Sequence, residues 1–178
     1  MRGSAFVDMT SNASALIQHP IEVVWPHLLD QAAWMKDFAI ETISGERNSV
    51  GELKRVMPLD SSTEGFELEE VHPCYFKTLL LIPFRKFVYK AYTEERSGQY
   101  GYTGVEVLCL QDVLLGSAVT LEAYLEFQSS TMNRAKLEAF VGQVRDLSVE
   151  IWARNFERLR RLIEADRGPP RAIGGEIL

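Results

Sequence analysis

The sequence predicts an α+β fold in which an antiparallel sheet curves around one long C-terminal helix, with two short helices after the first strand. Three observations carry this expectation. Residues 133–166 place apolar side chains at helical spacing over many turns, interrupted only by Ser148 and Asn155. Ahead of them, residues 40–128 break into short runs rich in β-branched and aromatic residues, punctuated by Gly, Ser, Asn and Pro. Before those runs, His19-Pro20 ends a first strand and opens a helical stretch, because Pro fixes φ and suits the first helical turn.

Taken in order, residues 11–18 form the first strand. Ile21, Val24, Trp25, Leu28 and Leu29 then recur at helical spacing, with Pro26 expected to bend or split the element, and a second short helix passes through Trp34 and Phe38. The strand candidates are 40–46, 52–57, 65–71, 75–82, 86–94, 103–113 and 118–128. The last alternates most clearly, with Val119, Leu121, Ala123, Leu125 and Phe127 on the face to be buried. If charged residues point outward, Lys86, Lys90 and Glu94 turn Phe87, Tyr89, Ala91 and Thr93 inward, and Lys77 does the same for Phe76, Thr78 and Leu80. On the final helix, about 100° per residue puts Leu137, Val141, Val144, Ser148, Ile151, Asn155, Leu159 and Leu162 in one stripe, with Trp152 at its border. Polar groups on a face that should meet a sheet point to a cavity between sheet and helix instead of a dry core.

Composition limits the function classes. At 178 residues, with 46% hydrophobic and 25% charged residues, the chain suits one globular domain with a sizeable core. A net charge of −6 without a basic block ahead of the last helix argues against nucleic acid. Cys74 and Cys109 lack CxxC or His partners at metal spacing, so no metal and no cofactor are expected; free thiols in a reducing cytosol are the plain reading, and a disulfide between them is left open. Residues 1–10 contain no apolar run long enough for a signal sequence, and 79–84 is too short to span a bilayer. The expectation is a cytoplasmic protein without stable membrane insertion; a homodimer is compatible with the sequence, which does not fix oligomeric state.

Strand, Pro-led helical pair, several strands and a long terminal helix is the element order of the helix-grip fold. The stretch ALIQHPIEVVWPHLL followed by WMKDF resembles the opening of SRPBCC or START-like proteins. FELEEVHPCYFKTLLL, KFVYKAYTEE and SAVTLEAYLEF resemble successive sheet strands of the polyketide cyclase/dehydrase-like branch. The resemblance covers roughly residues 11–165 and lies in the order of parts. It implies a START-like domain over 11–166; residues 1–10 are expected to be a flexible N-terminus, and the tail at 167–178, whose Pro and Gly cannot continue a helix, is expected to be flexible. It also implies a deep apolar cavity between sheet and helix. Members bind lipids, sterols, polyketides or other hydrophobic molecules; some catalyse cyclisation or aromatisation, and others act through protein contacts, including activators of a heat-shock chaperone ATPase. Fold alone does not choose among these.

Candidate site residues follow from strand parity. With Glu52, Lys54, Glu67 and Glu69 on wet positions, Arg55 and Glu70 face inward, where Arg55 forks onto a ligand oxygen and Glu70 holds it; the competing reading is a surface pair on an edge strand. His72 shares a face with Glu70 but lacks a third metal ligand, and His27 with Asp30, one helical turn apart, lacks a nucleophile. The glycines of residues 97–104 have neither the register nor the context of a phosphate loop, and Tyr100 and Tyr102 there either cap a cavity mouth or pack on the surface. Arg154, Arg158, Arg160, Arg161 and Arg167 crowd the end of the last helix, where the helix dipole already favours cations and Glu157, Glu164 and Asp166 dilute the charge. Phe66, Phe76, Tyr89, Trp25 and Trp152 divide between cavity wall and core. The sequence therefore favours binding a hydrophobic small molecule over catalysis, with Arg55, Phe66, Glu70, Phe76, Tyr89, Ser148, Trp152 and Asn155 as its site. A cyclase or aromatase and a protein-interaction module with a vestigial cavity are the rivals.

Overall fold

The computed structural model describes residues 4–59, 73–95 and 100–167. Its elements are β1 (Ala5–Ile17), α1 (Ile21–Leu29), α2 (Gln31–Trp34), β2 (Phe38–Ser44), β3 (Leu53–Pro58), β4 (Cys74–Ile82), β5 (Lys86–Thr93), β6 (Gly101–Val113), β7 (Gly116–Ser129) and α3 (Arg134–Arg167). Among the described residues the seven strands form one antiparallel sheet in the order β1-β7-β6-β5-β4-β3-β2. The strands from β2 to β7 form a meander, and β1 closes against β7 after the chain has passed through α1 and α2. α3 packs on β1, β7, α1 and α2, so the sheet grips it along one side. This is the helix-grip arrangement that the element order predicts.

Local chemistry explains the boundaries. Pro20 stands at the N-cap of α1 with an extended backbone (ψ 156°), and Pro26 is accommodated inside the helix. The split comes at Asp30, and Phe38 opens β2 instead of closing the second helix. β1 begins at Ala5, so the latter half of the stretch expected to be flexible is paired, Ala5 opposite Ser129 through Ile17 opposite Ser117. The predicted strand 65–71 lies outside the described residues. Gly116 turns β6 into β7 at φ +134°, where a Cβ would lie 2.3 Å from the Ile17 carbonyl oxygen. Only glycine fits that close approach.

The parity expectations hold for β7, whose Val119, Leu121, Ala123, Leu125 and Phe127 are all buried, and for Phe87, Tyr89 and Ala91 on β5. Each large apolar side chain so buried contributes roughly 1.5–3 kcal/mol. Leu80 is a correction: the register shifts between Thr78 and Leu80, and this bulge leaves Leu80 exposed while Phe76 and Thr78 stay inside. α3 buries Leu137, Val141, Trp152, Asn155, Phe156, Leu159 and Ile163. Trp152 is therefore part of the buried stripe, and its ring lies with those of Trp34 and Phe156 at centroid distances of 5.7–6.2 Å.

Candidate functional site

A helix held mainly against β1, α1 and α2 cannot fill the concave face of the whole sheet. What remains is a cavity of about 210 Å³. Its floor is Phe76 and Cys74 from β4, Tyr102 and Glu106 from β6, and Leu125 and Phe127 from β7; Met9, Met35, Phe38 and Pro58 close one side. α3 supplies Val144, Leu147, Ser148, Ile151 and Trp152, and Thr93 and Tyr100 complete the wall. The lining is thus apolar and aromatic with a few convergent polar groups, the usual make-up of a small-molecule site.

One of those groups is ionisable and buried. Glu106 lines the cavity at 8% exposure, and its Oε2 accepts a 2.6 Å hydrogen bond from the Tyr89 hydroxyl. Loss of solvent pushes the carboxyl up to about 7, against the opposing pull of the Tyr89 bond. Tyr89 is fully buried, and burial followed by the neighbouring Glu106 keeps its hydroxyl protonated. Burial likewise pushes the Cys74 thiol and the Tyr100 hydroxyl to about 12 and Tyr102 well above the ordinary phenol range. Ser148 places its Oγ 3.3 Å from Ser11 Oγ on β1, so it ties α3 to the sheet edge while facing the cavity.

Behind Tyr89 lies a second buried polar group, outside the cavity wall. Lys54 donates to Gln31 Oε1 at 3.1 Å and stands 3.4 Å from Glu52, which in turn accepts from Thr42 Oγ1 at 2.6 Å and from the Asn48 backbone at 2.8 Å. Desolvation lowers the Lys54 pKa, and Glu52 works against that shift. The parity expected for β3 is therefore inverted: Glu52 and Lys54 face inward with Val56, and Arg55 faces solvent, paired with Glu41 at 2.7 Å. Charge-outward logic fails here because two opposite charges at strand spacing neutralise each other inside. Arg55→Ala is expected to leave ligand binding unchanged and to alter stability by less than about 0.5 kcal/mol. Fluorescence titration and urea unfolding check this, and a clear loss of affinity would return Arg55 to the site.

The structure brings together Phe76, Ser148 and Trp152 in the cavity wall, with Tyr89 directly behind Glu106. Asn155 is a correction: it is fully buried but does not line the cavity, and its Oδ1 accepts from Arg158 at 3.1 Å. Phe66, Glu70 and His72 lie outside the described residues. His27 meets Asp166 at 3.4 Å, while Asp30 takes Arg47 at 2.7 Å, so the expected His27–Asp30 pair does not form. The arginines at the end of α3 are paired internally: Arg158 and Arg154 with Asp37, Arg160 with Glu157 and Glu164, Arg161 with Glu157, and Arg167 with Asp166. Both cysteines are free. Glu106, the polar centre of the cavity, escaped the strand reading, although it shares its parity with Leu108 and Leu110. A carboxylate on the apolar face of a strand was the available signal.

The chain resembles solved structures that share this architecture. A putative uncharacterized protein from Rhizobium leguminosarum matches with a TM-score of 0.60 at 12% identity, over 91% of this chain and 98% of that one. StfQ, a di-domain ARO/CYC from the steffimycin biosynthetic pathway, matches at 0.61 and 13%, over 93% of this chain and 53% of that one. Ara h 8.0201 matches at 0.51 and 13%, over 92% and 99%. At these identities the likeness defines the fold, an α+β helix-grip. No protein-family model matches the chain, and no curated protein is significantly similar to it. Among the described residues no helix is long and apolar enough to cross a membrane.

Proposed function

We propose that the protein binds a hydrophobic small molecule, of lipid, polyketide or aromatic type, between the sheet and α3. The observation that carries this reading is the cavity itself: about 210 Å³ left open among aromatic and aliphatic side chains from sheet and helix alike. A core built only for stability would close such a space, because empty apolar volume forfeits packing energy. Apolar burial supplies the affinity, and the few polar wall atoms orient the ligand.

Native mass spectrometry of protein purified without denaturation tests this directly, the expected result being a co-purified hydrophobic molecule. If none appears and apolar fluorescent probes fail to bind with defined stoichiometry, the reading fails. Ser148→Phe, which fills the cavity from α3, is expected to weaken probe binding by about tenfold or more while the far-ultraviolet circular dichroism is unchanged.

A second reading is supported by one observation. Glu106, held at about 7 beside the Tyr89 hydroxyl, lies in the range suited to general acid–base work, as a cyclase or aromatase requires. Conversion of a bound ligand, with a pH-dependent rate abolished by Glu106→Gln, would favour it over simple binding.

A further inference from the structure

The polar atoms of the cavity wall are unevenly supplied with partners. Thr93 Oγ1 donates to the Pro73 carbonyl at 3.0 Å, Ser148 meets Ser11, and the Tyr102 hydroxyl faces Cys74. Glu106 is different. Tyr89 occupies Oε2 and so fixes the carboxyl, while Oε1 has no protein partner among the described residues, which place no Lys, Arg or His in the wall. Lys54, the buried cation on β3, is held by Glu52 and Gln31 outside the cavity.

We propose that the cavity selects neutral hydrophobic molecules bearing a hydroxyl, with Glu106 anchoring that hydroxyl and turning carboxylates away. This inference rests on the binding reading above. An alcohol or phenol both donates and accepts, so it pairs with Glu106 as carboxylate or as carboxylic acid. A ketone pairs only with the acid. A carboxylate ligand meets like charge in a wall that has no compensating cation among the described residues, and an ammonium pairs with ionised Glu106 only by giving up its own hydration in an apolar space. Neighbouring Glu106 are Cys74 from β4, Tyr89 from β5 and Tyr102 from β6, and Tyr100 and Ser148 share the cavity wall with it. The thiol and phenols among them all keep their protons near neutrality, so among the described wall residues Glu106 alone sets the charge. Its proton loss near 7 makes exclusion of carboxylates deepen as pH rises.

Fluorescence titration of the full chain with naphthalene, naphthol and naphthoate, at about pH 6 and about pH 8, separates the outcomes. Naphthol should bind more tightly than naphthalene by about tenfold or more, and naphthoate should bind worst, more so at the higher pH. Glu106→Gln, which can both donate and accept, should keep naphthol and admit naphthoate. Glu106→Leu should bind naphthol no better than naphthalene. Naphthoate matching naphthol in the unmodified protein, or Glu106→Leu keeping the preference for naphthol, overturns the inference. Equal binding of all three overturns it and leaves the binding reading standing, whereas no binding of any overturns it and, where no hydrophobic molecule co-purifies either, overturns the binding reading too.

Discussion

Arg158→Leu is expected to destabilise the protein by roughly 1.5–3 kcal/mol. Arg158 reaches from α3 to Asp37 with two hydrogen bonds, Nη1 to Oδ2 at 2.8 Å and Nη2 to Oδ1 at 3.2 Å. Asp37 is 3% exposed, and among the described residues its other cation is Arg154 at 3.7 Å. Removing the guanidinium strands a carboxylate that has lost its solvent, and it also takes the donor from Asn155 Oδ1. Asn155 is fully buried, and its Nδ2 already has no partner among the described residues. The Asp37 carbonyl meanwhile accepts from the Leu59 backbone, so the lesion lies where α3, the α2–β2 junction and the end of β3 meet. Most of the cost is the penalty of a buried carboxylate left with only the longer Arg154 contact, so the double replacement Asp37→Leu with Arg158→Leu should recover a large part of it. Urea unfolding of the three proteins measures this. A single variant within about 1 kcal/mol of the unmodified protein would show the pair to be solvated and without structural weight.

The helix-grip architecture was legible because it depends on periodicity and punctuation. The alternation of β7, the Pro20 start and the long stripe of α3 are local patterns, and each survives burial unchanged. What periodicity cannot carry is the destination of charge. Asn155 is a polar break in an apolar stripe and is buried, but its partner is Arg158 one turn away, and a stripe does not distinguish a buried amide that faces a ligand from one that faces a neighbour. A rule that treats each charge alone sends Glu52 and Lys54 outward; the fold buries them together, and Arg55 faces solvent. Glu106 was hidden for the same reason. A lone carboxylate between valines reads as a solvent position until its parity with Leu108 and Leu110 is given more weight than its charge. The bulge after Thr78 shows the complementary limit, since one unpaired residue reverses parity without a sequence marker.

Glu106→Gln is expected to gain stability relative to the unmodified protein as pH rises from about 4.5 to about 7, and to hold that advantage at higher pH. The carboxyl ionises at 4.5 when solvated and at about 7 in the fold. Below 4.5 both folded and unfolded chains hold the proton, and the stability associated with this group is fully present. Between these values the folded protein keeps a proton that the unfolded chain has released, so stability falls as pH rises; above about 7 both are ionised and the loss is complete. The displacement corresponds to a loss on the order of 3 kcal/mol. Glutamine is close in shape to the protonated acid, and its carbonyl can accept the Tyr89 O–H without the charge, so this slope should vanish in the variant. Other titrating groups act alike in both proteins and cancel in the difference. Urea unfolding at about pH 5 and about pH 8 should show the variant's relative stability rising by roughly 2–3 kcal/mol. A difference that stays flat across this window would mean that Glu106 reaches water in the native state. The cavity would then lack the buried acid on which its discrimination between hydroxyl and carboxylate ligands depends.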